Sequence, residues 1–126
     1  VIFTGSNRTD AADILSRMTK EGINLGGKTS LPMLAEIYKC ARAVITTDSG
    51  PMHLAAAVGT PVIALFGPTD PARTGPYGTG HTVIRADLPC SPCLLKKCPT
   101  KECMKEITPE QVYATVERIC QATTTR

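Results

Sequence analysis

Short runs of β-branched residues alternate with stretches of helical spacing along the first two thirds of the chain. The β-branched runs predict five strands, over residues 1–4, 23–25, 43–47, 62–66 and 82–84. Between them, apolar residues recur at helical spacing and predict helices over residues 11–20, 31–42 and 51–58. This alternation predicts an α/β fold: a Rossmann-like parallel sheet with helices on both faces.

Local signals mark where two of the helices begin. Ser30 is placed to cap the helix over residues 31–42. Near the C-terminus, Thr108 and Gln111 form a capping-box pattern with Pro109 at the first helical position. A fourth helix is therefore predicted to start there.

Composition narrows the class of protein. A chain of 126 residues fits one domain, and 42% hydrophobic residues with only 4% aromatics predict a core of Ala, Val, Ile and Leu. The net charge of +3 is too small for a nucleic-acid footprint, so we expect no nucleic-acid partner. No apolar run reaches the roughly 18 residues of a spanning helix, which is typical of a cytoplasmic protein. The chain opens directly on a strand-like run, and we expect the natural protein to continue upstream.

The segment Asp48 to His53 lies where a predicted strand ends and a short helix begins. Ligands of open α/β sheets bind outside the carboxyl ends of strands, and a helix N-terminus favours anions such as a diphosphate. Gly50 allows close backbone approach, Ser49 adds a hydroxyl, and Asp48 adds an acceptor for a sugar hydroxyl or for the loop itself. The segment therefore predicts an anion or phosphate site.

Each of these residues also has a purely structural interpretation. Asp48 and Ser49 are good N-cap residues, and Gly50 could simply ease the turn. His53 could be a core histidine bonded to a carbonyl group. The spacing alone leaves both interpretations open.

The motifs around this segment resemble a known family. They are Asp48–Ala57 (DSGPMHLAAA), Gly59–Pro61 (GTP), Phe66–Pro71 (FGPTDP) and Gly75–Gly78 (GPYG), with weaker matches at Gly27–Leu31 (GKTSL), Cys103–Met104 and Ile107–Glu110 (ITPE). Their order resembles the family 9 glycosyltransferases, whose best-known members are ADP-heptose:lipopolysaccharide heptosyltransferases. Several linked motifs in order are more specific than any one of them.

The resemblance implies the C-terminal half of a GT-B glycosyltransferase, in which two Rossmann-like domains face a cleft and the C-terminal one binds the nucleotide sugar. It places Thr29 near the adenine, Lys28 near the phosphates, and Asp10 near the ribose hydroxyls, although Asp10 could equally be an N-cap. The nucleotide-sugar-binding residues that it implies are Asp48, Ser49, Gly50, His53, Thr29, Lys28 and Asp10.

By the same resemblance, the reaction is inverting transfer of heptose from ADP-heptose to a lipopolysaccharide core acceptor. The family's catalytic base is an acidic residue of the N-terminal domain, so no catalytic residue is assigned in this chain. We expect residues 1–126 to be one nucleotide-sugar-binding domain, truncated at its N-terminus, inactive alone, and partnered by the missing N-terminal domain. Contact with the inner face of the bacterial cytoplasmic membrane is left open. The scheme requires no metal or cofactor.

A segment rich in Cys, Lys and Pro, residues 89–103, interrupts the α/β pattern, and we call it the cysteine loop. Its spacing, C-x2-C-x4-C-x4-C, is compatible with a structural zinc site, whereas reduced thiols are the other interpretation and the one we favour slightly. Cys40 and Cys120 fall on predicted helices and are expected to be buried. Two alternative functions follow: a non-catalytic nucleotide-binding module, or a metal-binding interaction domain centred on this loop. The candidate metal ligands are Cys90, Cys93, Cys98 and Cys103.

Overall fold

The structure is a computed structural model that describes residues 1–7 and 9–124. The chain forms two compact units, one of Val1–Ile37 and one that begins at Tyr38. All strand pairs are parallel: the first unit holds a two-stranded sheet and the second a three-stranded sheet. In the part of the chain that the structure describes, no helix is long and apolar enough to cross a bilayer.

The first unit begins with β1 (Ile2–Phe3), α1 (Thr9–Ser16) and β2 (Ile23–Asn24), and α2 (Leu31–Cys40) follows. Ile2 lies opposite Ile23 in the parallel pair. Gly22 lies just before β2, and a Cβ at this position would clash with the side chain of Leu15. The Oγ of Ser30 accepts a hydrogen bond from the Met33 N–H at 3.4 Å, which confirms the predicted helix cap.

The second unit contains three strands, and each is followed by a helix. In chain order its elements are β3 (Val44–Thr47), α3 (Gly50–Ala57), β4 (Val62–Phe66), α4 (Pro71–Thr74), β5 (Thr82–Arg85), α5 (Glu102–Lys105) and α6 (Pro109–Thr124). The strand order is β3-β4-β5, so β4 is central. Since all three strands run parallel, their carboxyl ends share one edge of the sheet.

The core of the second unit is built around β4. Val62, Ile63 and Ala64 are all fully buried, and because successive side chains point to opposite faces, both faces of β4 are covered. Helix α3 contacts β3 and β4, and α6 contacts β4 and β5. Met52 of α3 and Phe66 of β4 are also fully buried, and burial of side chains of this size stabilises the fold by about 1.5–3 kcal/mol each.

A histidine fixes the edge of the sheet where β4 begins. The N–H of Val62 donates to Nδ1 of His81 at 3.2 Å, and Nε2 of the same ring lies 3.1 Å from the carbonyl oxygen of Tyr77. An acceptor at Nδ1 and a carbonyl at Nε2 together require the neutral tautomer with its proton on Nε2. His81 is thus the structural histidine of this unit.

The expected parallel α/β fold is confirmed, with strands in the predicted order, and two details differ. The strands lie in two sheets rather than one continuous sheet. Helices α4 and α5 were not predicted, because four residues each are too few to produce a helical period. The capping box at the start of α6 is confirmed: the Thr108 N–H donates to Oε1 of Gln111 at 3.0 Å, and the Gln111 N–H donates to Oγ1 of Thr108 at 3.3 Å.

Candidate functional site

The candidate site lies at the carboxyl edge of β3 and β4. Thr47 at the end of β3 pairs with Leu65 of β4, so the loops that follow these two strands leave the sheet side by side. One loop carries Asp48 and Ser49 into α3, and the other carries residues 67–70 into α4. This is the edge at which open α/β sheets bind their ligands.

Asp48 is held by the helix that follows the neighbouring strand. Asp70 caps α4, its Oδ1 accepting the Ala72 N–H at 3.0 Å, and Pro71 starts the helix. Thr74, the last residue of α4, then donates its hydroxyl to Oδ2 of Asp48 at 2.9 Å. A carboxylate has two oxygens, and this bond engages only one. The same hydroxyl lies 3.3 Å from the carbonyl oxygen of Asp70, a longer contact than the one to Asp48. The shorter bond orients Asp48, which keeps acceptor capacity.

Ser49 occupies the N-cap position of α3 in an extended conformation, but its side chain makes no capping hydrogen bond. Instead its hydroxyl donates to the carbonyl oxygen of Thr47 at 3.1 Å and lies 3.2 Å from Oγ1 of Thr46. The capping interpretation of the Ser49 side chain is therefore wrong. The hydroxyl is half-buried in its own loop, and it could serve a ligand as an acceptor or after rotation.

Gly50 starts α3 and faces open space. A Cβ at this position would lie more than 4 Å from every described atom outside its immediate neighbours, and the backbone is not in the left-handed region. The turn does not require glycine, so that interpretation of Gly50 is wrong as well. What the missing side chain provides is access to the helix N-terminus.

The N-terminus of α3 offers fewer donors than an ordinary helix. Pro51 has no N–H, and the N–H of Met52 already donates to the carbonyl oxygen of Ser49 at 3.1 Å. The donors left for an anion are the N–H groups of Ser49 and Gly50. His53, one turn further, is exposed rather than buried in the core.

The other three predicted residues belong to the first unit. There the loops after β1 and β2 are adjacent, because the Gly27 N–H donates to the carbonyl oxygen of Gly5 at 2.8 Å. Lys28 is exposed, and Thr29 is half-buried. Asp10 lies inside the first turn of α1, and its carboxylate accepts a 3.4 Å hydrogen bond from Nδ2 of Asn7.

Asn7, not Asp10, supplies the capping oxygen of α1, because Oδ1 of Asn7 accepts the Thr9 N–H at 3.0 Å. The N-cap interpretation of Asp10 is therefore wrong. The structure groups Asp48, Ser49, Gly50 and His53 in the second unit, and it groups Asp10, Lys28 and Thr29 in the first.

Sequence reasoning missed three threonines of the site. Thr74 orients Asp48, and Thr46 supports the hydroxyl of Ser49. The third, Thr69, has a buried Oγ1 without a hydrogen-bond partner among the described residues. Such a group usually bonds to water or a ligand. Thr46 lies at the end of β3 and Thr69 follows β4 within the FGPTDP motif, so their position near strand ends was a usable signal. Thr74 lies at the end of α4, and no local pattern pointed to it.

The cysteine loop is anchored to the turn that follows β4. The Ser91 hydroxyl donates to the carbonyl oxygen of Gly67 at 2.8 Å, and the N–H groups of Cys93 and Leu94 donate to that of Pro68 at 3.0 and 2.8 Å. Among residues 1–7 and 9–124, no three His, Cys, Asp or Glu side chains are grouped so that they could hold a metal ion. The zinc site therefore stays a prediction that these positions do not support.

The two cysteines outside the loop are less buried than predicted. Cys40 is exposed and Cys120 is half-buried. Cys40 is the last residue of α2, and that position leaves one side of its side chain in solvent.

The comparisons identify the family. Residues 1–104 match the model of glycosyltransferase family 9 (heptosyltransferase). Lipopolysaccharide heptosyltransferase 1 of Pseudomonas aeruginosa is 36% identical over 111 residues, which cover 75% of this chain and 31% of the relative. Lipooligosaccharide heptosyltransferase 2 of Campylobacter jejuni is 40% identical over 92 residues, 71% of this chain and 29% of the relative.

Solved structures agree with the sequence matches. The structure of the Escherichia coli ADP-heptose lipopolysaccharide heptosyltransferase II superposes with a TM-score of 0.80 at 26% identity, covering 98% of this chain and 37% of that one. A family 9 glycosyltransferase of Veillonella parvula gives a TM-score of 0.81 at 30% identity, covering 94% and 35%. The chain thus spans about a third of the length of these relatives. On the combined ground of motifs, fold and relatives, this chain belongs to glycosyltransferase family 9.

Proposed function

We propose that this chain provides the donor site of a heptosyltransferase of lipopolysaccharide core assembly. The donor is a nucleotide sugar, ADP-heptose, held at the edge where β3 and β4 end. The acceptor is a lipopolysaccharide core sugar, which brings the enzyme to the inner face of the cytoplasmic membrane. The relatives from Pseudomonas aeruginosa and Campylobacter jejuni are named heptosyltransferases of lipopolysaccharide or lipooligosaccharide, which supports a heptose donor and such an acceptor. The name of the Escherichia coli structure includes ADP-heptose, which supports the nucleotide.

The hydrogen bond between Thr74 and Asp48 carries this proposal. It orients a carboxylate, for which the described residues provide no salt bridge, at the edge where ligands bind in this architecture. A fixed carboxylate suits a sugar hydroxyl, because a hydrogen bond to a charged acceptor is stronger than one between neutral groups. It does not suit the diphosphate, which it would repel. We therefore assign Asp48 to the sugar.

The diphosphate needs donors, and we assign it to the open start of α3. Gly50 and His53 are exposed there, and Gly50 has no side chain to cover the N–H groups of Ser49 and Gly50. Such donors stabilise the negative charge that develops on the departing diphosphate. The roles that the family resemblance implies for Lys28, Thr29 and Asp10 of the first unit stay predictions.

Inversion follows if the acceptor hydroxyl attacks the anomeric carbon from the side opposite the diphosphate. The attacking hydroxyl must lose a proton to a general base. We assign no residue of this chain to that role and place the base on the facing domain of a GT-B pair. The donors named here are N–H and hydroxyl groups, so the scheme does not call for a metal ion.

Calorimetry on the purified chain tests the assignment of Asp48. Asp48→Asn should lower the affinity for ADP-heptose roughly tenfold, about 1.4 kcal/mol, and change the affinity for ADP itself less than about twofold. The matched control is Asp13→Asn, which changes an exposed carboxylate of α1 that pairs with Arg17 and is expected to alter neither affinity. Equal losses for ADP and ADP-heptose in Asp48→Asn would contradict the assignment to the sugar.

A further inference from the structure

The four cysteines of the cysteine loop share one cavity. It has a volume of about 180 Å³, and Pro68, Leu95 and Met104 supply apolar parts of its wall. All four thiols are free. The four thiols therefore line a common space and are not scattered over the surface of the loop. Among the described residues, no three potential metal ligands are grouped closely enough to hold an ion.

Cys98 differs from the other thiols in its hydrogen bonds. The N–H of Lys101 donates to its Sγ at 3.4 Å, and Oγ1 of Thr100 lies 3.6 Å away. The Lys101 N–H first, and Thr100 second, hold the pKa of the Cys98 thiol below its ordinary value, with partial desolvation and then the Glu102 carboxylate opposing them. The thiolate is the nucleophilic form of cysteine.

Cys98 also borders a second opening with a basic wall. This opening is lined by Lys96, Lys97 and Lys101 together with Cys98 and Pro99. An anion that approaches Cys98 from this side meets three ammonium groups. Lys96 and Lys101 also line the cavity that the four cysteines share, whereas Cys98 is the cysteine that borders both openings. The charge around Cys98 therefore favours an anionic reagent.

The loop is tied to the backbone that leads to the candidate site. Besides the hydrogen bonds of Ser91, Cys93 and Leu94 to Gly67 and Pro68, a Cβ on Gly67 would lie 3.3 Å from Sγ of Cys103 and closer still to Sδ of Met104. The absence of a side chain at Gly67 lets the loop pack on the turn after β4. That turn continues into α4 and hence to Thr74.

From these contacts we propose that the cysteine loop is a thiol–disulfide exchange site for an anionic low-molecular-weight disulfide, with Cys98 as the nucleophile. The Cys98 thiolate attacks one sulfur of the disulfide, a mixed disulfide forms, and one thiolate leaves. A second cysteine of the cavity, once it has lost its proton, attacks Sγ of Cys98 and releases the second thiolate. Two protein thiols become one disulfide while the reagent disulfide is reduced to two thiols, so electrons balance.

This site goes beyond the transferase reaction and does not rest on nucleotide binding. A disulfide that draws the loop together acts on the Gly67–Pro68 turn, because the loop is hydrogen-bonded there. Oxidation would thereby reach α4 and the Thr74 hydroxyl that orients Asp48.

Reaction with 5,5′-dithiobis(2-nitrobenzoate), an anionic aromatic disulfide, tests the proposal on the reduced protein. We expect a fast phase that releases two thionitrobenzoate ions per chain and leaves an internal disulfide at Cys98, identified by peptide mass mapping. Cys98→Ser should slow this phase at least tenfold, whereas the matched control Cys40→Ser, which removes an exposed thiol of α2, should leave it unchanged. Changing Lys96, Lys97 and Lys101 to Gln should slow the reaction with the anionic reagent more than the reaction with a neutral dipyridyl disulfide.

A second measurement needs no variant. Alkylation of each cysteine by iodoacetamide, followed by mass spectrometry as a function of pH, should show Cys98 becoming reactive at lower pH than Cys40. The proposal is overturned if Cys98 reacts no faster than Cys40, or if a stable mixed disulfide accumulates with one ion released per chain. It is also overturned if the protein carries one equivalent of zinc and its loop thiols react only after chelation.

Discussion

The Thr74 hydroxyl donates a 2.9 Å hydrogen bond to Oδ2 of Asp48, so the end of α4 and the loop after β3 are joined at one edge of the three-stranded sheet. The two residues are far apart in sequence, and they meet because β3 and β4 are parallel neighbours with Thr47 opposite Leu65. Asp70 and Pro71 set the start of α4 and thereby the position of Thr74. The geometry of the proposed sugar contact thus depends on two loops at once.

Replacing Thr74 tests whether this bond positions Asp48. Thr74→Val keeps the shape of the side chain and removes the hydroxyl, so Asp48 loses its anchor. Because Thr74 is exposed, we expect less than the full effect of a hydrogen bond to a charged group, a loss of about 1 kcal/mol or roughly fivefold in affinity for ADP-heptose. Calorimetry measures the loss. Thr74→Ser should restore most of the affinity, and failure of Ser to do better than Val would argue against the role of the hydroxyl.

The two histidines of the chain should respond in opposite ways to the same substitution. His81→Ala leaves the N–H of the fully buried Val62 without its acceptor, which should lower the free energy of unfolding by about 1–3 kcal/mol. His53→Ala changes an exposed side chain, so the free energy of unfolding should change by less than about 0.5 kcal/mol. Urea denaturation of both variants provides the comparison.

The affinity for ADP should depend on His53 rather than on His81, the reverse of the effect on stability. ADP affinity should fall in His53→Ala, whereas folded His81→Ala should retain it, because His81 lies at the opposite edge of the sheet. A His53→Ala chain that is destabilised but binds ADP normally would support the core-histidine interpretation instead.

Much of this fold follows from local sequence signals, whereas the contacts of the site do not. The capping pair Thr108 and Gln111 acts within one helical turn, so the sequence alone specifies it. The bond between Asp48 and Thr74 depends on strand order and register, which no local pattern encodes. His53 and His81 could not be told apart by spacing either, because burial is a property of the packed unit.

The cysteine loop illustrates the same limit. Its spacing allowed either a metal site or free thiols, and the spacing could not choose between them. The conformation of the loop depends on the hydrogen bonds of Ser91 and Cys93 to the Gly67–Pro68 turn, which is remote from them in sequence. Helix α4 is an intermediate case: the Asp70-Pro71 pair is a recognisable start signal, but four residues carry no periodicity to confirm it.

Adding a methyl group at Gly50 and at Gly67 distinguishes a glycine that gives a ligand access to α3 from a glycine that is needed for packing. Gly50→Ala places a Cβ in open space, so the fold should be unchanged or stabilised by about 0.4–1 kcal/mol. The new methyl group should nevertheless weaken ADP binding several-fold, because it stands where the diphosphate would approach α3. Calorimetry and urea denaturation together measure both effects.

Gly67→Ala is the comparison. Its Cβ would press on Met104 and Cys103, so it should destabilise the chain by about 1–3 kcal/mol and alter the reactivity of the loop thiols. If Gly50→Ala leaves ADP affinity untouched, the diphosphate does not lie at the start of α3.

The most direct test of the donor site is a ¹⁵N–¹H NMR titration of the chain with ADP. We expect saturable chemical shift changes of the amides of Ser49, Gly50 and His53. The amides of α4 should shift as well, because α4 contacts the same loop through Asp48. The amides of residues 77–82, at the opposite edge of the sheet, should stay unchanged. Shifts that cluster at residues 77–82, or that leave residues 48–53 unmoved at saturation, would contradict the assignment of the donor site to the carboxyl edge of β3 and β4.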